Sequence, residues 1–150
     1  MRRFKAISYG TVTLLMLIGL GAVITGLAFV FKPEGTGLGM TVDLLKDSPF
    51  EDFFIPGLTL LVFNGILSLI VAYMVLVKNR FSGKATGVLG MVMLIWIAAQ
   101  VYWIGWESWL QPLFLVIGLI EMGLGYYLNS MHIGNNRTYY RKSNHDSHAH

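Results

Sequence analysis

Residues 86–130 read TGVLGMVMLIWIAAQVYWIGWESWLQPLFLVIGLIEMGLGYYLNS. The stretch contains two apolar runs, 86–105 and 109–130, parted only by Trp106, Glu107 and Ser108. Crossing a hydrocarbon core of about 30 Å takes roughly 20 apolar residues in a helix, and each run meets that length. Neither holds a lysine or arginine, and the single acid is Glu121. So short a break forces two such helices to run antiparallel. Ser108 and Gln111 have the spacing of a capping box for the second helix. Pro112 falls in that helix's first turn, where a missing N–H costs nothing. Trp103, Trp106 and Trp109 cluster at the boundary, where amphipathic rings settle at a membrane surface.

Working outward, the same pattern recurs at 8–31 and at 56–77, where Pro56 again stands in a first turn. The expected fold is therefore all-α, a four-transmembrane-helix antiparallel bundle over residues 1–130. A polar tail, 131–150, is expected to be disordered. Arg2, Arg3 and Lys5 imitate the basic start of a secretory signal. The apolar stretch behind them is too long for one and no small-x-small cleavage site follows, so the segment reads as a retained helix.

Composition agrees. Of 150 residues 55% are hydrophobic and 13% charged, and the mean hydropathy is +0.60. A soluble domain carries about 25% charged residues, so most of this surface must face lipid. The absence of cysteine excludes a thiol nucleophile, a disulfide relay and a thiolate metal site. The net charge of +3 gives no reason to expect a nucleic acid partner.

The basic residues are asymmetric. Arg2, Arg3, Lys5, Lys78, Arg80, Lys84, Arg137, Arg141 and Lys142 share one end of the bundle, leaving Lys32 and Lys46 at the other. Glu34, Asp43, Asp47, Glu51, Asp52 and Glu107 fall at that other end. By the positive-inside rule both termini are expected in the cytoplasm, with the chain multi-pass in a plasma (inner) membrane.

The one long connection, 32–55, is then an extracytoplasmic interfacial segment. It opens with the flexible run Pro33 to Gly39. At Ser48-Pro49-Phe50-Glu51 the order of N-cap serine, first-turn proline and glutamate predicts a helix start. Phe50, Phe53 and Phe54 would then lie on the membrane surface, with Glu51 and Asp52 toward water. Phe50, Glu51, Asp52 and Phe53 are candidates for a lid over the bundle end or a gate over a cavity.

Small residues recur at helical spacing: Gly19, Ala22 and Gly26; Gly65, Ser68 and Ala72; Gly83, Gly87 and Gly90; Gly118 and Gly125. Such faces let helices approach closely, within one bundle or between copies. Polar residues inside the spans say more. Glu121 lies ~14 Å below the loop-side boundary and Asn64 ~12 Å, at matching depth. Gln100 and Thr25 are ~8 Å deep. Without a basic residue in any span, Glu121 is expected to sit neutral and hydrogen-bonded to Asn64 or Gln100. That is either interhelical glue or a ligand-binding or proton-exchanging site. Met93, Trp96, Gln100, Trp103 and Glu107 form one stripe along the third span. Trp96, ~13 Å deep, is too deep to be a boundary anchor. It is either a packing residue or a wall for a flat, weakly polar ligand.

No nucleotide loop, catalytic triad or zinc motif appears. His145, His148 and His150 in the tail could hold a metal only loosely, and no metal site or catalytic residue is assigned. The run Asp47 to Phe50, then Ile55-Pro56-Gly57-Leu58, Asn64-Gly65, Trp96 to Gln100, and Ser108 to Pro112 with Glu121 resembles a group of small uncharacterised bacterial four-helix membrane proteins. The likeness covers about half the chain, and with DoxX-like proteins the chain is similar in topology alone. The resemblance implies a four-helix bacterial membrane protein and carries no activity.

The sequence thus leads to a non-enzymatic membrane protein that binds a lipophilic small molecule or a partner subunit. Glu121 is the proposed donor, Asn64, Gln100 and Thr25 the polar surroundings, and Trp96 and Trp103 the stacking walls. Besides the lipid bilayer, a homo-oligomer or a partner membrane protein would fit the exposed apolar faces. No cofactor is required. A quinone is a candidate ligand, which leaves a quinone-linked redox protein using Glu121 for proton exchange as one alternative. A purely structural accessory protein is the other.

Overall fold

The computed structural model describes the backbone of residues 2–147 and the side chains of residues 2–131. All regular structure in it is helical. Four helices are long and apolar enough to cross a membrane: α1 (Arg2–Phe31), α2 (Phe54–Leu76), α3 (Ser82–Ile104) and α4 (Leu110–Ser147), whose candidate span is Leu110–Met131. They run up and down as an antiparallel bundle. One end carries the 32–53 loop and the α3–α4 turn; the other carries the N-terminus and the α2–α3 turn. The expected spans agree to within a few residues except for α1, which begins at Arg2 because nothing in its basic first turns breaks a helix. The backbone of α4 runs on to Ser147 where an irregular tail was expected, and no proline after Pro112 is present to stop it. The side chains of His132, His145, His148 and His150 lie outside the described residues.

Local chemistry sets the helix ends. The Gln111 Oε1 accepts from the backbone N–H of Glu107 (3.1 Å) and of Ser108 (3.4 Å), and the Ser108 hydroxyl accepts from the Leu110 N–H at 3.3 Å. Half of the expected capping box at α4 is therefore formed: Gln111 reaches back to the Ser108 N–H, whereas the Ser108 hydroxyl takes the Leu110 N–H and the Gln111 N–H goes to the Ser108 carbonyl. The Gln111 amide closes the turn further by donating to the Gly105 carbonyl at 3.0 Å. At the end of α2 the Lys78 N–H donates to the Val75 carbonyl and the Asn79 N–H to the Met74 carbonyl. This is the Schellman arrangement, whose left-handed position is usually glycine. Here Lys78 occupies it with φ 55°.

The helix before the second span starts later than expected. Ser48 does accept from the Phe50 N–H at 3.2 Å, yet this makes a turn, and α2 begins at Phe54. The Asp52 carboxylate, 2.9 Å from the Phe54 N–H, caps it instead. Further along, Leu60–Ile66 of α2 is wound as a π-helix, which no local signal in the sequence announces.

The small-residue faces turn inward, onto neighbours in the same chain. A Cβ on Gly26 would stand 2.8 Å from the Gly57 carbonyl oxygen, and one on Gly19 2.7 Å from Leu69. On the other side of the bundle, a Cβ on Gly83 would meet the Asn129 amide at 2.5 Å and one on Gly90 the Gly118 carbonyl at 2.5 Å. Glycines thus bring α1 against α2 and α3 against α4 at backbone contact. The two pairs meet along a much thinner seam, mainly between α2 and α3. Toward the terminal end that seam is filled by Leu15, Val71, Ala72, Val75, Leu89 and Leu128, one apolar cluster drawn from all four helices.

Candidate functional site

The loop end carries a second feature, built from the loop upward. Gly35, at φ 80°, lets the chain fold back over the bundle, and a Cβ there would press on the Phe53 ring at 3.0 Å. The Phe53 N–H then donates to the Pro33 carbonyl at 2.9 Å, closing the loop on itself. These contacts drive Phe53 inward, where its ring stacks on Phe29 of α1 with centroids 4.9 Å apart. Phe50 meets Trp103 of α3 edge-on at 5.7 Å. Phe50 and Phe53 therefore do not lie along the membrane surface as expected; they roof the bundle end. Burying two such rings outweighs leaving them in an interface they would only partly enter. Glu51 stays exposed, and Asp52 is occupied as the cap of α2. Near the loop's start, hydrogen bonds from the backbone and from the Thr36 hydroxyl, at 2.9 Å, hold the Glu34 carboxyl below the usual carboxylate range.

Under this roof lies a cavity of about 80 Å³ whose walls include Phe29, Leu60, Trp96, Gln100 and Trp103. Three members of the α3 stripe thus face one space with the two roof phenylalanines. Of the two hydroxyl or amide side chains in the wall, Ser48 is committed, its hydroxyl donating to the Leu45 carbonyl at 2.8 Å. The Gln100 amide makes no hydrogen bond among the described residues. With the indole N–H groups of Trp96 and Trp103 it supplies the few free polar groups of a largely apolar space, the usual composition of a small-molecule site. Sequence reasoning missed Phe29 and Leu60. Phe29 continues the Gly19, Ala22, Gly26 stripe by one turn, so the periodicity contained it; Leu60 belongs to the π segment and carried no signal.

Glu121 and Asn64 are elsewhere. Glu121 is wholly buried, its Cβ 2.9 Å from where a Cβ on Gly90 would stand, and it faces α3 in the middle of the bundle. Asn64 is 3% exposed, inside the π segment. Neither lines the cavity, nor does the half-buried Thr25. The expected hydrogen bond between Glu121 and an amide is not formed: both carboxyl oxygens and the Asn64 Nδ2 are buried without a partner. The buried hydroxyls of Thr11 and Thr86 show the contrast, each donating to the carbonyl four residues back at 2.8 Å. Depth along a helix brought Glu121 and Asn64 to similar levels, but their positions around the bundle keep them apart. No cluster of three or more metal-ligating side chains exists among the described residues.

Set against models of known protein families, curated proteins and solved structures, the chain matches none.

Proposed function

We propose that this chain is a multi-pass protein of a bacterial plasma membrane, both termini cytoplasmic, that binds a lipophilic, weakly polar small molecule beneath the 32–53 loop. The orientation rests on nine of the eleven basic residues sharing the terminal end. The binding reading rests on one observation: Trp96, Trp103, Phe50 and Phe53 converge on a single cavity in which, among the described residues, Gln100 is the one amide or hydroxyl side chain without a hydrogen bond. The indoles supply flat apolar walls, the amide fixes orientation, and the loop excludes water. At about 80 Å³ the cavity takes a ring or a chain end, and a larger ligand enters as the phenylalanine roof lifts. A quinone head fits this chemistry as ligand. Glu121, the proton exchanger of a redox reading, is absent from the wall, which favours binding over catalysis.

The test is to purify the protein in mild detergent and identify co-purifying lipophilic molecules by mass spectrometry. Trp103→Ala and Gln100→Leu are expected to lose the bound species, and Glu121→Leu to retain it. Identical profiles in wild type and Trp103→Ala would sink the reading and leave the cavity as a packing void.

A further inference from the structure

At the opposite end of the bundle, between the start of α1 and the end of α2, lies a larger cleft of about 180 Å³. Its walls divide by chemistry. Phe4, Val12, Val75 and Leu76 form an apolar floor, while Lys5, Ser8, Tyr9 and Lys78 supply two ammonium groups and two hydroxyls. Among the described side chains no carboxylate is at this end: Glu34, Asp43, Asp47, Glu51, Asp52 and Glu107 are at the loop end, and Glu121 is buried in mid-bundle. The two lysines therefore face a shared space without a counter-charge from any described side chain.

The backbone adds an independent observation. Lys78 fills the left-handed position of the Schellman turn with φ 55°, where glycine would fit without strain. The chain accepts that strain and gains an ammonium at the rim of the cleft.

We propose that this cleft binds the phosphate of an anionic phospholipid headgroup, Lys5 and Lys78 pairing with the phosphate and Ser8 and Tyr9 donating to its oxygens. Clefts of this kind between spanning helices, basic at the rim, suit anionic headgroups. The occupant is a lipid because the floor is apolar and opens between two membrane-spanning helices, so acyl carbons can follow the headgroup in. A free anion would gain nothing from Phe4, Val12, Val75 or Leu76.

The experiment is native mass spectrometry of the full-length protein in a neutral detergent, titrated with phosphatidylglycerol, phosphatidylethanolamine or inorganic phosphate. Wild type is expected to bind phosphatidylglycerol in preference to phosphatidylethanolamine, and millimolar phosphate is expected not to displace it. Lys5→Gln/Lys78→Gln should weaken phosphatidylglycerol binding about tenfold or more. Arg80→Gln/Lys84→Gln, an equal loss of charge at the same end but outside the cleft, should change it less than about twofold. Lys78→Gly guards against a folding artefact, because it relieves the strained turn while removing one ammonium. It should bind phosphatidylglycerol about fivefold more weakly, with a lipid-free unfolding temperature equal to or above wild type. Equal weakening by both double variants would overturn the proposal in favour of diffuse charge attraction. Displacement by phosphate, or equal binding of both lipids, would overturn it as well.

Discussion

Glu121 is the residue at which sequence and structure part most clearly. A carboxyl in mid-span calls for a partner, and the helix face that would supply one holds Gly90 instead. Both oxygens are buried without hydrogen bonds, and a buried unpaired polar group of this kind costs about 1–3 kcal/mol. Glu121→Met, which keeps the length of the side chain and removes its polar end, is expected to raise stability by about that amount. Unfolding in mixed detergent micelles, followed by circular dichroism, measures it. A less stable variant would show that the carboxyl is partnered in the membrane. The sequence could give the depth of Glu121 because rise per residue is fixed. It could not give the neighbour, since that depends on how far each helix is rotated about its own axis.

At the scale of elements, the spans and the α4 cap were legible because both are local. Twenty apolar residues must be a span in lipid, and Ser108 and Gln111 reach only their own turn. The small-residue stripes were legible as contact faces but silent about their partners. The structure resolves this by pairing α1 with α2 and α3 with α4 at backbone distance. Gly57 was missed, though it packs against Phe29 and Gly26, because a lone glycine beside a proline reads as part of a helix start. The loop was misread for a related reason: Ser48-Pro49 carries the local signal of a helix, and burial of Phe53 against Phe29 overrides it. Pairing makes a sharp prediction about alanine. Gly90→Ala and Gly83→Ala each press a methyl into opposing backbone and should destabilise by about 1–3 kcal/mol. At Gly21 and Gly123 nothing lies within 4 Å of an added Cβ, so alanine there should be neutral or stabilising by up to about 1 kcal/mol. Thermal unfolding of the four variants decides it, and uniform effects would mean that the glycines act through flexibility rather than contact.

For the whole molecule the consequence is a bundle of two stiff halves. Within each pair glycine contact leaves no room for sliding, whereas the seam between pairs is thin and becomes, at the loop end, the cavity itself. Phe29 and Leu60 line it from the first pair, Trp96, Gln100 and Trp103 from the second, and the loop covers both. A ligand there touches both halves and would hold them at one angle, because binding favours whichever arrangement it contacts best. The chain has no cysteine, so spin labels can be placed without removing any native residue. Ile70 on α2 and Ile95 on α3 are exposed on the lipid-facing surface, as are Leu17 on α1 and Leu119 on α4. Double electron–electron resonance on Leu17→Cys/Ile70→Cys and Ile95→Cys/Leu119→Cys should give narrow distance distributions with or without ligand. Ile70→Cys/Ile95→Cys, which spans the seam, should be broader in the empty protein and narrow when a short-chain quinone is added. Equal widths in all three pairs before and after addition would describe one rigid bundle, and would remove the mechanical link between the cavity and the rest of the chain.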